Sequence, residues 1–207
     1  PYMHTPHFDQ FAKDGTIFTR AYAQQAICSP TRNAFLSGRY PDKTLTYNFI
    51  DDFRASPRAG GGETWTALPE FFRNNGYYTI GSGKVYHPQH PPNFDNNRSW
   101  SKPWINQFAK CTCNATNHGF PPGGFASCEG LQDSWNECQD DMVVSTTIAL
   151  LEQAANCTLG TTDDSYHYDQ PTPNFFIAAG LHKPHLPFYA PQRLFKLYDD
   201  NTVPPPF

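Results

Sequence analysis

The 207-residue sequence lacks any long hydrophobic run and is poor in charged residues, which make up 16% of it. No stretch approaches the roughly 20 consecutive apolar residues that a membrane helix requires, so the sequence predicts no membrane span. The net charge of -4 argues against a general nucleic-acid binder. An anionic ligand must therefore be recognised by a local pocket and not by the overall charge.

The chain is not deficient in aromatic residues, which account for 15% of it. This content excludes an intrinsically disordered chain, because disordered chains are poor in aromatics and rich in net charge. Twenty prolines and 14 glycines predict long loops between packed elements. At this length the chain can form one substantial hydrophobic core.

Three stretches of the sequence repeat the order helix then strand, judged by apolar spacing and by the glycines that follow the helices. The predicted pairs are residues 6–14 and 16–22, residues 68–75 and 77–80, and residues 142–156 and 174–180. Asp140 or Asp141 is predicted to cap the third helix. Helices that alternate with buried strands predict an α/β sandwich with a mostly parallel sheet.

Cysteines and glycosylation patterns point to the secretory route. Four cysteines crowd a loop-like region, and we predict that residues 88–138 form a long, disulfide-stapled excursion from the sheet; these are Cys111, Cys113, Cys128 and Cys138. A zinc site is the alternative, although the usual CxxC pairs are missing. Three N-glycosylation patterns lie at Asn97, Asn114 and Asn156.

The segment AICSPTR, residues 26–32, places a cysteine beside a predicted helix start. Ser29 suits the N-cap and Pro30 the first helical position, so we predict a helix over residues 30–37. Cys28 then lies at the helix mouth, where backbone N–H groups and the helix dipole favour an anion. Arg32 falls in the first turn, and together these features indicate an oxyanion site.

The simpler interpretation of Cys28 is a buried small hydrophobic residue or a disulfide partner of Cys157. Bare spacing does not decide between this interpretation and a nucleophile. If the four clustered cysteines pair among themselves, Cys157 is left over, and their own pairing stays open among three possibilities.

Three motifs resemble those of the sulfatase family. Residues 28–39 resemble its signature C-x-P-x-R, followed by a helix of small residues and S-G-R. GSGKVYHP, with Lys84 and His87, resembles its G-K-x-x-H segment, and LHKPHLPF, residues 181–188, resembles its H-x-P-H-x-P segment. The resemblance implies an alkaline-phosphatase-like α/β fold, incomplete in this chain. Residues 1–207 would then be the N-terminal half of a single catalytic domain.

The family's chemistry implies a role for each matching residue. Cys28 would be oxidised to formylglycine, whose hydrate carries one hydroxyl that attacks sulfur and a second that later expels sulfate; it would also be a metal ligand. Lys84 would hold a sulfate oxygen beside Arg32, and His87 would contact the nucleophile or the sulfate. The expected proton donor to the departing alcohol is His185, a task that suits an imidazole. The expected substrate-binding residues are His182 and Lys183.

The resemblance also implies calcium, although most of its ligands would lie outside this chain, in missing segments or in a companion chain. We interpret the aspartate pairs as solvated caps and turns; these are Asp51-Asp52, Asp140-Asp141, Asp163-Asp164 and Asp199-Asp200. Calcium needs about six or more oxygen ligands. We therefore expect the isolated 207-residue chain to be inactive.

The expected substrate is a sulfated glycosaminoglycan of the 2-O-sulfated iduronate type, and the expected location is lysosomal or secreted. Two alternatives remain open at this point. The first is a phosphate or phosphonate ester hydrolase on the same fold. The second is a secreted structural or binding protein that keeps the scaffold without catalysis, with Cys28 unmodified or in a disulfide.

Overall fold

The structure is a computed structural model that describes residues 3–55, 62–103, 139–159 and 174–185, the backbone of 125–128 and 188–191, and positions 194, 197 and 198. Its α-helices are α1 (Pro6–Asp14), α2 (Cys28–Ser37), α3 (Pro41–Thr44), α4 (Leu68–Asn74), α5 (Asn96–Ser99) and α6 (Gln139–Ala155). Short 3-10 helices span Gly62–Thr64 and Pro92–Asp95. The strands are β1 (Tyr78–Gly83), β2 (Phe125–Cys128), β3 (Phe175–Gly180) and β4 (Phe188–Pro191).

The chain divides into two compact units. The larger unit comprises Ala23–Lys110 and Asn136–His182, and the smaller one comprises Pro1–Tyr22, Cys111–Trp135 and Lys183–Phe207. In the larger unit β1 and β3 pair in parallel, in a register that runs from Tyr78 opposite Phe175 to Gly83 opposite Gly180. The predicted parallel sheet between helices is thus confirmed for these two strands.

Helical segments cover both faces of this strand pair, because successive side chains of a strand point to opposite faces. On one face β1 and β3 pack against α6 through Tyr78, Ile80, Ile177, Leu150, Ala154 and Leu159. On the other face Phe176 and Ala178 pack against a second cluster; its buried members are Leu36, Phe53, Ala67, Tyr86, Phe94 and Trp100. Burial on both faces explains why β1 is buried along its whole length.

Residues 92–100, the first part of the predicted loop excursion, contribute to this second cluster. Trp100 is 1% exposed, and its indole Nε1 donates to the carbonyl oxygen of Phe94 over 2.9 Å. Residues 104–138 of that excursion lie outside the described residues, apart from the β2 backbone, and so do the predicted disulfides.

The smaller unit contains α1 and a parallel pair of β2 with β4. The bounds of α1 confirm the helix predicted over residues 6–14. The strand predicted over residues 16–22 is wrong, because this segment has no strand conformation and every side chain in it is exposed. Alternating apolar residues such as Phe18, which is 79% exposed, form a strand only where a neighbouring strand accepts their backbone hydrogen bonds.

Candidate active site

The helix α2 begins at Cys28, two residues earlier than predicted. The amide of Thr31 donates to the carbonyl oxygen of Ile27 over 3.1 Å, so the helical hydrogen bonds start at Ile27. The predicted N-cap role of Ser29 is therefore wrong, since Ser29 lies inside the first turn and is fully buried. Gly38 ends the helix as predicted, with a left-handed φ of 65°. Cys28 is half-buried at the first helical position.

Asn33 holds this helix in place and was not identified from the sequence. Its Nδ2 donates to the carbonyl oxygen of Ser29 over 2.9 Å, and its Oδ1 accepts from the amide of Phe53 over 2.9 Å. The side chain is fully buried. The one sequence signal is a polar residue at a core-facing position of α2, and its partner 20 residues away could not be deduced.

Lys84 directly follows β1, and its position depends on close approach of two strand ends. Its amide donates to the carbonyl oxygen of Gly180 over 2.7 Å. Gly83 has a φ of +78°, and a Cβ there would lie 2.6 Å from Cγ2 of Val143, so only glycine fits. The Lys84 residue is 8% exposed.

Arg32 reaches across to the chain that follows β1. Its guanidinium donates to the carbonyl oxygens of Lys84 and of Val85, the latter over 3.0 Å. Its Nε is buried without a hydrogen-bond partner in the described structure. Arg39, also part of the signature motif, instead lies over the ring of Trp65, with its Cζ 4.5 Å from the ring centroid.

Arg32 and Lys84 are neighbouring cations beside Cys28. Burial lowers the pKa of Arg32, and interaction with Cys28 offsets part of this effect. Burial also lowers the pKa of Lys84; interaction with Cys28 opposes this, and the charge of Arg32 lowers the pKa further. Neither Arg32 nor Lys84 forms an ion pair with a carboxylate in the described part of the chain.

Burying a cation without a counter-ion costs free energy. Two such cations side by side indicate a site that an anion completes. Because the cations flank the half-buried Cys28, a bound anion would lie beside this thiol, whose role as a nucleophile precursor stays a prediction.

His87 lies next to these cations. Burial lowers its pKa to about 4, the Pro88 carbonyl opposes this, and the charges of Lys84, His90 and Arg32 add to the lowering. Its Nδ1 lies 3.0 Å from the carbonyl oxygen of Pro88, which can only accept, so Nδ1 carries the hydrogen and Nε2 of the neutral ring is an acceptor. The site thus combines two cations with a neutral base.

Four predicted site residues are therefore brought together: Cys28, Arg32, Lys84 and His87. His182 also lies in the larger unit, where its amide donates to Oδ1 of Asp140 over 2.6 Å. The helix α6 begins at Gln139, so Asp140 and Asp141 lie inside its first turn and the predicted capping role is wrong. Lys183 and His185 belong to the smaller unit, so their proposed roles stay predictions.

The described residues do not fit a calcium site. No group of three or more histidine, cysteine, aspartate or glutamate side chains in this part of the chain could hold a metal ion. Asp52, predicted to be solvated, is 5% exposed, which corrects that interpretation. Its Oδ1 accepts hydrogen bonds from the amides of Arg54 over 2.8 Å and of Ala55 over 3.1 Å. The Asp52 carboxylate therefore stabilises a turn and does not face solvent.

A sequence model of the sulfatase family matches residues 1–203. The chain belongs to the sulfatase family. The predicted alkaline-phosphatase-like α/β fold is thereby confirmed. Sulfatase-family relatives include iduronate 2-sulfatase of Homo sapiens, 32% identical over 97% of this chain, and that of Mus musculus, 31% identical over 97%. A sulfatase of Formosa agariphila is 29% identical over 99%.

This chain spans 34% of the length of each iduronate 2-sulfatase and 39% of the Formosa agariphila sulfatase. The expected similarity to iduronate 2-sulfatase is confirmed. In the described part of this sulfatase-family chain, no helix combines the length and apolar character needed to cross a membrane. Two predicted glycosylation sites, Asn97 and Asn156, are exposed, and Asn114 lies outside the described residues.

Proposed function

We propose that this sulfatase-family chain carries the nucleophile of a sulfuric ester hydrolase that acts on sulfated glycosaminoglycans of the 2-O-sulfated iduronate type. One observation carries the proposal: two cations, the half-buried Arg32 and the buried Lys84, flank Cys28 without a carboxylate partner in the described structure. The substrate class is supported by similarity to the human and mouse iduronate 2-sulfatases.

The residues of this chain would bind and orient the sulfate group. Arg32 is anchored on the carbonyl oxygens that follow β1, so its charge stays beside Lys84 whether or not a ligand is bound. Such preorganised cations stabilise the negative charge of a reacting sulfate without moving. Cys28 lies beside Lys84, so a formylglycine formed at this position would face the bound sulfate group. When formed, that group supplies two geminal hydroxyls, one for attack on sulfur and one for release of sulfate.

Proton transfer would involve two histidines with different tasks. His87, neutral above about pH 4 because burial lowers its pKa, offers an acceptor nitrogen to a hydroxyl of the nucleophile. His185 would donate a proton to the departing alcohol, and His182 with Lys183 would bind the substrate. Calcium, which the family implies, would take ligands from outside the described residues, in the same polypeptide or in a companion chain.

The exposed sequon residues Asn97 and Asn156 support a glycoprotein of the secretory pathway, either lysosomal or secreted. Glycan occupancy at these two sites is measurable on the protein from its source, by deglycosylation and peptide mass spectrometry.

Mass spectrometry of the peptide that contains Cys28 tests the proposal. The protein isolated from its source should show the mass loss expected for conversion of this cysteine to formylglycine. Cys157 is the internal control, because it is exposed and free in the described structure but lies outside the signature motif. Only the Cys28 peptide should change.

An unmodified or disulfide-bonded Cys28 would contradict the proposal and favour a scaffold without catalysis. If formylglycine is present, relative turnover decides the ester class. A sulfated uronate disaccharide and its phosphate analogue should then be compared, and faster hydrolysis of the phosphate ester would support the phosphate hydrolase alternative.

A further inference from the structure

Phe49 presents an exposed aromatic ring beside the proposed sulfate site. Its side chain is 50% exposed. The centroid of its ring lies 5.0 Å from that of His87, with a tilt of 45° between the planes. Single exposed aromatic residues are common on protein surfaces. This one differs because its neighbour, His87, is near enough to the cations Lys84 and Arg32 for their charges to lower its pKa.

The backbone around Phe49 is held rigidly. Oδ1 of Asn48 accepts the amides of Ile50 over 2.8 Å and of Asp51 over 3.1 Å, which fixes the turn that carries the ring. The same segment is tied to α2, because the amide of Phe53 donates to Oδ1 of Asn33 over 2.9 Å. Phe49 therefore lies in a hydrogen-bonded turn, and the segment that carries this turn is attached to α2, the helix that presents Cys28.

Two neighbouring cations next to an aromatic ring suit a ligand with an anionic group on an apolar face. A pyranose that carries a sulfate has both features, since its axial C–H groups form an apolar patch and its hydroxyls face water. The ring of Phe49 is open on one side, and the neighbouring Asp51 is exposed and polar. A flat hydrophobic ester would instead need a pocket that encloses most of its surface.

We propose that Phe49 is a sugar-binding residue that contacts the apolar face of the sulfated ring. This inference rests on the proposed function and deepens it. Phe49 touches none of the reacting atoms, so it determines affinity and substrate choice and is not catalytic. Its contribution is stacking, which does not depend on the charge of the sulfate group.

The test compares three variants of the full-length protein. These are Phe49→Ala, Phe49→Trp and the control Phe71→Ala, whose ring is 56% exposed on α4 and packs on Phe72. The probes are a 2-O-sulfated uronate disaccharide and inorganic sulfate as a competitive inhibitor. Loss of one aromatic stacking contact should raise the KM for the disaccharide about tenfold in Phe49→Ala. Its inhibition by sulfate should stay unchanged, and Phe49→Trp and Phe71→Ala should resemble the wild type.

Equal KM values for wild type and Phe49→Ala would overturn the inference. A parallel loss of sulfate inhibition would also overturn it, since Phe49 would then support the anion site itself. If Phe49→Ala raised the KM for 4-nitrophenyl sulfate more than the KM for the disaccharide, the ring of Phe49 would bind aryl esters and not the sugar, which would also overturn the inference. If the wild-type protein neither binds nor hydrolyses the disaccharide while sulfate still binds, the proposed substrate class fails, and the sugar contact fails with it.

Discussion

The guanidinium of Arg32 donates a hydrogen bond to the main-chain carbonyl oxygen of Lys84, 52 residues further along the chain. A second bond to the carbonyl oxygen of Val85 fixes the orientation of the same group. The two cations of the site are thus joined through backbone and not through a shared carboxylate. Neutral carbonyl partners position the charge of Arg32 without neutralising it, which leaves this charge available to an anion.

Replacement of Lys84 by methionine should abolish sulfate binding without lowering the stability of the fold. The lysine is 8% exposed with no ion-pair partner in the described part of the chain, so methionine should leave the free energy of unfolding unchanged or raise it by about 1 kcal/mol. Sulfate should raise the Tm of the wild type but not that of Lys84→Met. Thermal melting with and without sulfate measures both effects.

Lys43→Met, at an exposed position in α3, is the matched control and should retain the response to sulfate. A Lys84→Met protein that is strongly destabilised in the absence of sulfate would show that the ammonium group has a stabilising partner within the fold.

Substitution of Gly180 by alanine should displace the chain after β1, which carries Lys84. A Cβ on Gly180 would lie 2.5 Å from the amide nitrogen of Val85 and would also collide with the main-chain carbonyl of Lys84. The chain after β1 must move away, at a cost of about 1 to 3 kcal/mol in unfolding free energy. Because Arg32 donates to this same chain, the Kd for sulfate should increase as well.

Urea unfolding and sulfate titration of Gly180→Ala, compared with Ala179→Ser at the exposed preceding position, measure these two losses. Unchanged sulfate affinity in a destabilised Gly180→Ala protein would mean that Arg32 and Lys84 do not depend on this strand contact.

The pH dependence of the free energy of unfolding should reflect the protonation of His87. Burial lowers its pKa from the ordinary 6.5 to about 4. Above about pH 6.5 the ring is neutral in both folded and unfolded states, so it makes no difference to stability. As the pH falls from 6.5 to about 4, the unfolded state binds the proton first and the folded state loses stability. Below about pH 4 this loss is complete.

His87→Gln should therefore lose less stability than the wild type over this pH range, as measured by urea unfolding. Sulfate should raise the pKa of His87, because a nearby anion stabilises the protonated ring. Parallel stability curves for the two proteins, or an NMR titration of His87 that sulfate leaves unchanged, would contradict this prediction.

Local signals predicted much of the fold and the motif-bearing part of the site. Short apolar runs identified β1 and β3, and the positive-φ residue Gly38 marks the predicted end of α2. These signals depend only on neighbouring residues, so they are visible in a single sequence. The strand predicted over residues 16–22 failed because strand formation depends on a partner that spacing does not reveal.

The sequence did not predict residues whose role depends on contacts with positions far away in the chain. Asn33 binds the amide of Phe53, and the ring of Phe49 meets His87, 38 positions away in the sequence. Arg54 reads as an ordinary surface charge, but it pairs with Asp95, 41 residues away. No periodicity or spacing rule encodes such pairs, because they form only when the intervening chain has folded.

The buried ion-pair network of Arg54 should be the most sensitive electrostatic element of the larger unit. The Arg54 side chain is 10% exposed, and its Nη2 lies 2.7 Å from carboxylate oxygens of both Glu70 and Asp95. Arg54→Met leaves these two acids without their shared partner and should cost about 3 to 5 kcal/mol in unfolding free energy. Arg98→Met is the matched control, because Arg98 also pairs with Glu70 but its side chain is 37% exposed. This control should cost about 1 kcal/mol or less.

Acid should weaken the same network in the wild type. Burial alone would raise the pKa of Glu70, but hydrogen bonds from Arg54, from the amide of Ala67 and from Arg98 outweigh it and hold the pKa below its ordinary 4.5. The resulting stabilisation is present above about pH 4.5 and is lost as the pH falls through the lowered value. Urea unfolding of Glu70→Gln should therefore show a shallower loss of stability in acid than the wild type. Equal slopes, or equal costs for Arg54→Met and Arg98→Met, would mean that solvent screens the buried pair as fully as the exposed one.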